Sequence, residues 1–321
     1  SCNDACFLAC DYRLMHPAAQ SAPRAPSFFD GFEERLIETP DGEIFCRIGG
    51  SGPPLVLLHG YPQTSAMWHA VAPELTKDYQ VICPDLRGYG RSLKPPTDAA
   101  HAPYSKRAMA SDVLAVMDRL GHDRFVIGAH DRGGRVAHRM AADHPARVIA
   151  MSTLDIAPTR EMYRDADSGF AHTYWHWYWL TLPNPFPERM IGADPAYFWL
   201  HKCGAGKAGL APFVQQALDE YLTCFGTPEA IHGACEDYRA AATIDIEHDN
   251  ADTSKLKMPL LALWGIDGAI EAHFDCLSLW RERAEDVSGW AIPGGHYVAE
   301  QHPDAVLSAW QPFFAKAMAR A

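Results

Sequence analysis

Six apolar runs, most of them separated by helix-like segments, constrain the fold of this chain more than any other feature. The run "PPLVLLHG" is apolar almost throughout, as a strand buried on both faces requires. "YQVICPDLRG", "RFVIGAHD", "RVIAMSTLDIAP", "MPLLALWGID" and "VSGWAIPGGH" take the same form. "KRAMASDVLAVMDRLG" has helical periodicity and a glycine stop, a helix follows the "GAHD" turn, and "PDAVLSAWQPFFAKAMA" closes the chain as another helix. Strands alternating with helices predict an α/β fold, a mostly parallel sheet covered by helices on both faces. Upstream, "ERLIETPDGEIFCRIGG" alternates around a Pro-Asp-Gly turn and predicts a hairpin.

The alternation is interrupted once. From Pro158 to about Asp245 the chain is rich in Trp, Tyr and His, and it contains no core-strand pattern. The organisation expected is a flexible N-terminal extension over residues 1–28, a core domain over 29–157 and 246–321, and an inserted helical cap over 158–245. "HPAAQSAPRAPS" reads as a Pro/Ala/Ser-rich tether, and Cys2, Cys6 and Cys10 as part of an unstructured leader. Most of the cap aromatics are expected to fill the interface between cap and core.

Charge narrows the function. The net charge of −12 repels nucleic acid and anionic membranes, so neither is an expected partner. An anionic substrate would need a local positive site. No apolar run reaches the length of a membrane span, and nine scattered cysteines without zinc-type pairing fit a reduced, cytoplasmic protein.

The sharpest local feature is "IGAHDRGGRVAHRM", a strand, a glycine-framed tight turn and a helix, with Asp131 at its apex. An aspartate at a helix start is ordinarily an N-cap. The surroundings favour chemistry. "LLHGYPQ" sets His59, Gly60 and Tyr61 after a buried strand, "DLRGYGRS" forms a second loop, and "GGHY" places His296 before the last helix. Together these segments resemble the α/β-hydrolase fold, in the order nucleophile, cap, histidine. There the turn lifts the nucleophile above the sheet, and the Tyr61 and Arg132 N–H groups would form the oxyanion hole.

Serine attacking a saturated carbon gives an ether, which water does not reopen. Aspartate gives an alkyl ester, which water can cleave with His296 as general base. Asp131 therefore points to displacement at an sp³ carbon, as in dehalogenation or epoxide opening. It is ionised at neutral pH and needs no base of its own. The histidine needs an acid, and both Asp155 in "STLDIAP" and Asp267 in "LWGIDG" end a predicted strand.

From about Phe29 onward the chain resembles the fluoroacetate dehalogenase family, through "HDRGGRVAHRM", "LDIAPT", "YWHWYW", "CEDYRA", "EHD" and "GGHY". The resemblance implies hydrolysis of 2-haloacetates to glycolate and halide by Asp131, His296 and Asp155, without metal or organic cofactor. Arg132 and Arg135 would hold the substrate carboxylate, and His176, Trp177 and Tyr238 the leaving halide. The partner expected is a small anionic haloacid, with room for a homodimer. Two guanidinium groups three residues apart on a helix suit one carboxylate. Fluoride is strongly hydrated, so its departure calls for several donors, with His176 either protonated or as a neutral N–H. The alternatives are an epoxide hydrolase, in which Trp rather than Arg usually follows the nucleophile, and a catalytically idle ligand receptor. The segment "HKCGAGKAGLAP" departs from the family pattern near the pocket mouth.

Overall fold

A computed structural model describes residues 28–320. The extension and the Cys2, Cys6 and Cys10 spacing read from the sequence fall outside the described residues, apart from Phe28. The sheet has eight strands: β1 (Phe32–Thr39), β2 (Gly42–Gly49), β3 (Pro54–Leu58), β4 (Gln80–Pro84), β5 (Phe125–His130), β6 (Val148–Leu154), β7 (Leu260–Gly265) and β8 (Val287–Ile292). Their spatial order is β1-β2-β4-β3-β5-β6-β7-β8. The expected hairpin is β1–β2, with Thr39 opposite Gly42, and β2 pairs antiparallel with β4. All pairs from β4 to β8 are parallel.

Burial explains which strands were plain in the sequence. Every residue of β5 is buried, and so is all of β3 after Pro54. β8 lies at the edge, and its residues alternate between half-buried and exposed as far as the buried Ile292.

Helices α1 (Lys106–Arg119) and α2 (Arg132–Asp143) flank β5 in sequence. Ser105 caps α1 by accepting the Ala108 N–H. α2 packs so close to β3 that a Cβ on Gly133 would lie 2.4 Å from the Leu58 carbonyl oxygen, so only glycine fits. Between β6 and β7 the insertion is helical. It contains α3 (His176–Trp179), α4 (Pro195–Cys203), α5 (Pro228–Ala242) and α6 (Ile244–Ala251), with further helices among them, Gln215–Phe225 included. The boundary expected at residue 245 falls inside α6. The last helix is α7 (Pro303–Met318).

The chain runs from β3 outward to β4, then returns to β5 on the other side of β3. Loops leaving the carboxyl ends of β3 and β5 therefore part at a switch point, where open α/β sheets bind ligands. His59–Tyr61 leave one strand there and Asp131 the other. Among the described residues no helix is long and apolar enough to cross a membrane, and the six cysteines are free thiols.

Candidate active site

Asp131 sits between β5 and α2 with φ 46° and ψ −116°. A non-glycine residue held there costs on the order of 1–3 kcal/mol, which the strands and helix around it must offset. Its side chain makes no helix-capping bond. Instead the Tyr61 N–H donates to Oδ1 at 2.9 Å. The approach of the two loops requires Gly60, where a Cβ would come within 2.5 Å of the Asp131 Cβ.

His296 completes the line. Its Nε2 lies 3.8 Å from Asp131 Oδ2, and its Nδ1 lies 2.7 Å from Asp155 Oδ2. The other Asp155 oxygen accepts the Gly265 N–H at 3.0 Å. Asp155 also has a positive φ, 51°, which turns the carboxylate back toward the loop that carries His296. Asp267 is exposed and pairs with Lys207 at 2.5 Å, so of the two acids it is Asp155 that meets His296. Burial alone would push the Asp131 carboxyl up, but His296, His130, Arg135 and Arg132 hold it well below the usual carboxylate range. A carboxylate that stays ionised is ready to attack without a base.

The two arginines differ. Arg132 is fully buried and bound to Asp237: Nε reaches Oδ2 at 2.9 Å, while Nη2 reaches Oδ1 at 2.6 Å and the main-chain oxygen at 2.9 Å. Lys106 and the Tyr89 hydroxyl also donate to Asp237. Arg135 donates to the Ala157 carbonyl at 3.2 Å, to Thr159 Oγ1 at 2.9 Å and to Met162 Sδ at 3.5 Å. It has no carboxylate within ion-pair distance among the described residues. Burial, with Arg132 beside it, lowers its affinity for the proton. Arg132 Nη1 and Arg135 Nε are buried without a hydrogen-bond partner. The guanidinium groups lie over aromatic rings, Arg132 at 4.2 Å from the centre of Tyr238 and Arg135 at 4.6 Å from that of Trp177.

The rings of Tyr61, His176 and Tyr238 surround the same space, with centroids 5.1–6.0 Å apart. Trp177 is buried and its indole N–H lacks a partner. Burial, with Lys202 nearby, pushes the His176 imidazole well below its ordinary range, so of its two expected forms the neutral N–H is the one the site supports. Arg132, Arg135, His176 and Tyr238 stand close enough to Asp131 to interact with its charge, and Trp177 adjoins Arg135.

Sequence reasoning missed three neighbours. Asp237 precedes Tyr238 in "CEDYRA", but consecutive helix residues point about 100° apart, so Asp237 ion-pairs with Arg132 while the Tyr238 ring faces that guanidinium and Tyr61. The Tyr174 hydroxyl lies 3.2 Å from His296 Nδ1. His130 meets the His296 carbonyl through Nε2 at 2.8 Å, and burial holds its imidazole down at about 3. Among the described residues one group elsewhere has metal-ligand geometry, Glu188, His232 and Glu236, but Arg239 already binds both carboxylates at 2.6 and 2.7 Å.

Fold and site together define an α/β-hydrolase with an aspartate at the nucleophile turn. Residues 53–201 match the alpha/beta hydrolase fold family. The chain is 45% identical to a fluoroacetate dehalogenase from Burkholderia sp. over 90% of its own length and 96% of the relative's. It is 33% identical to a soluble epoxide hydrolase from Corynebacterium sp., over 83% and 91% of the two chains. Among solved structures, an alpha/beta hydrolase from Nostoc sp PCC 7120 superposes with a TM-score of 0.85 at 49% identity, covering 88% of this chain and 97% of that one. This chain belongs to the fluoroacetate dehalogenase family of the α/β-hydrolases.

Proposed function

We propose that the protein is a hydrolytic dehalogenase that converts 2-haloacetates, fluoroacetate among them, to glycolate and halide. The observation that carries this reading is Arg135, a buried guanidinium without a carboxylate partner among the described residues, one helical turn from the candidate nucleophile. A buried cation of this kind calls for an anion, and a haloacetate brings one. Arg132 offers a second unpartnered N–H to the same carboxylate.

The chemistry follows in two steps. Asp131 Oδ2 attacks the methylene carbon, the carbon–halogen bond breaks, and the halide leaves with the electron pair toward the N–H and O–H groups of Trp177, His176 and Tyr238. The product is an ester on Asp131. Water then gives a proton to His296 Nε2 and adds to the ester carbon. The charge that builds on Oδ1 meets the Tyr61 N–H, with the Arg132 N–H as the second donor. Collapse expels the glycolate oxygen, which takes the proton from His296, and Asp131 gives the remaining water proton to solvent as it returns to the carboxylate, while Asp155 keeps the imidazole oriented. Residues 158–245 act as the cap that excludes water from the first step.

The same nucleophile and water would open an epoxide, the activity in the name of the Corynebacterium relative, with Tyr238 protonating the ring oxygen. The unpaired Arg135 argues for the haloacid, because a neutral epoxide leaves that cation unmatched. Halide release from fluoro-, chloro- and bromoacetate, measured beside an epoxide panel, tests the choice. Diol formation without halide release would overturn it.

A further inference from the structure

The segment "HKCGAGKAGLAP" contributes a cation that the steps above do not use. Lys202, near the end of α4, is half-buried and lines a cleft of about 660 Å³ with Tyr174, His176, Gly295 and His296. Its Nζ donates to the Tyr297 hydroxyl at 3.2 Å and stands 4.9 Å from the centre of the Tyr61 ring. Among the described residues no carboxylate lies within ion-pair distance of it. Lys77, Lys106 and Lys207 each face one. Lys202 is close enough to lower the proton affinity of both His176 and His130.

The local charge count gives this cation a use. Arg132 is matched by Asp237, and Lys106 by Asp237 and Asp245. That leaves Arg135, which bonds no carboxylate among the described residues, to face both Asp131 and the incoming one. A monoanionic substrate makes the pocket one cation short, and the whole chain carries a net charge of −12. A lone positive group on the wall of a cleft raises the local concentration of small anions and their rate of arrival.

We propose that Lys202 is an anion-holding site in the cleft, which takes the carboxylate of a small monoanionic acid on its way to Arg135. This rests on the haloacetate reading for its substrate, but not for its binding test. Lys202→Met should lower kcat/KM for chloroacetate about tenfold while kcat changes less than about twofold, and it should flatten the dependence of kcat/KM on ionic strength. Lys202→Arg should restore both. Chloroacetamide, which loses the same halide but carries no charge, should react equally well with wild type and Lys202→Met. Equal losses on both substrates would mean a structural role and overturn the proposal, as would an unchanged salt dependence. A readout without turnover separates this idea from the function. Acetate should protect Lys202 from an amine-acylating reagent, mapped by peptide mass spectrometry, in wild type and in Arg135→Met. Labelling that ignores acetate, or no labelling of Lys202, overturns the site even in an active dehalogenase. Protection in a protein that releases no halide would leave the site standing and sink the haloacetate reading.

Discussion

The main-chain N–H of Tyr61 donates to Oδ1 of Asp131 at 2.9 Å, so one carboxylate oxygen already rests where negative charge would build during ester hydrolysis. The other faces His296 at 3.8 Å. The two oxygens differ before anything binds: one is held by the oxyanion donor and the other is free to attack.

His296→Asn should therefore separate the two steps. The nucleophile and its donor remain, and the base is lost. About one halide per chain should appear, followed by turnover slowed about 10²–10⁴-fold, with an adduct on the peptide that contains Asp131. In the wild type, a single turnover in heavy-oxygen water should place the label in Asp131 rather than in the first glycolate. Steady turnover of His296→Asn with no adduct in the mass spectrum would refute the two-step scheme.

Asp155 and Asp267 should respond differently. Asp155→Asn removes the acceptor that orients His296, and steady turnover should fall by about 10²–10⁴-fold. Asp267→Asn breaks an exposed pair with Lys207, which contributes about 0–1 kcal/mol, and should leave kcat close to wild type. Steady-state rates of the two variants decide between the acids, and the reverse order would exclude Asp155.

Much of this arrangement was legible in the sequence, for physical reasons that also mark where it stopped. β3, β5, β6 and β7 were plain because central parallel strands are buried on both faces and read as apolar runs. The turn at Asp131 was plain because close packing demands Gly133 and Gly60. Asp155 and Asp267 could not be told apart from local pattern, since both follow a parallel strand. What separates them is a backbone twist at Asp155 and a lysine at the rim, and neither has a sequence signature. The Asp237 partnership was hidden because it spans 105 residues, and the Tyr174 contact because it spans 122.

Arg135 and Asp237 should affect stability in opposite directions. Asp237→Asn leaves Arg132 buried without its counter-charge and Lys106 with Asp245 alone, and should cost about 3–5 kcal/mol. Arg135→Met removes a buried cation that has no carboxylate partner, so stability should hold or rise by about 1 kcal/mol, on the order of 2–4 °C in Tm. The same variant should lose about 2–5 kcal/mol of transition-state stabilisation on haloacetates. Denaturant unfolding and kcat/KM give both numbers. A large loss of stability in Arg135→Met would mean that the guanidinium is structural and not held ready for a substrate.

Glu300 should make the fold sensitive to alkali. It follows the His296 loop and is buried, with the Gln63 amide at 2.5 Å from Oε2 and the Tyr221 hydroxyl at 3.0 Å from Oε1. Burial pushes its carboxyl up to about 8, although both donors oppose the shift. In the unfolded chain the group titrates near 4.5. The folded pKa is the higher one, so the folded state binds the extra proton between those values. Its contribution is complete below about pH 4.5 and declines as pH rises through 8. Unfolding free energy should fall across that window by a few kcal/mol at most, on the order of 1.4 kcal/mol for each pH unit. Glu300→Gln, which cannot ionise, should remove this slope. Gln63 lies two residues from Tyr61, and His296 lies four from Glu300, so the loss should also loosen the site. In the wild type kcat should fall above pH 8, whereas in Glu300→Gln it should hold to higher pH. Urea unfolding of both proteins at intervals from pH 5 to 9 is the measurement. Parallel stability curves would show that Glu300 is ionised in both states and has no part in the pH response.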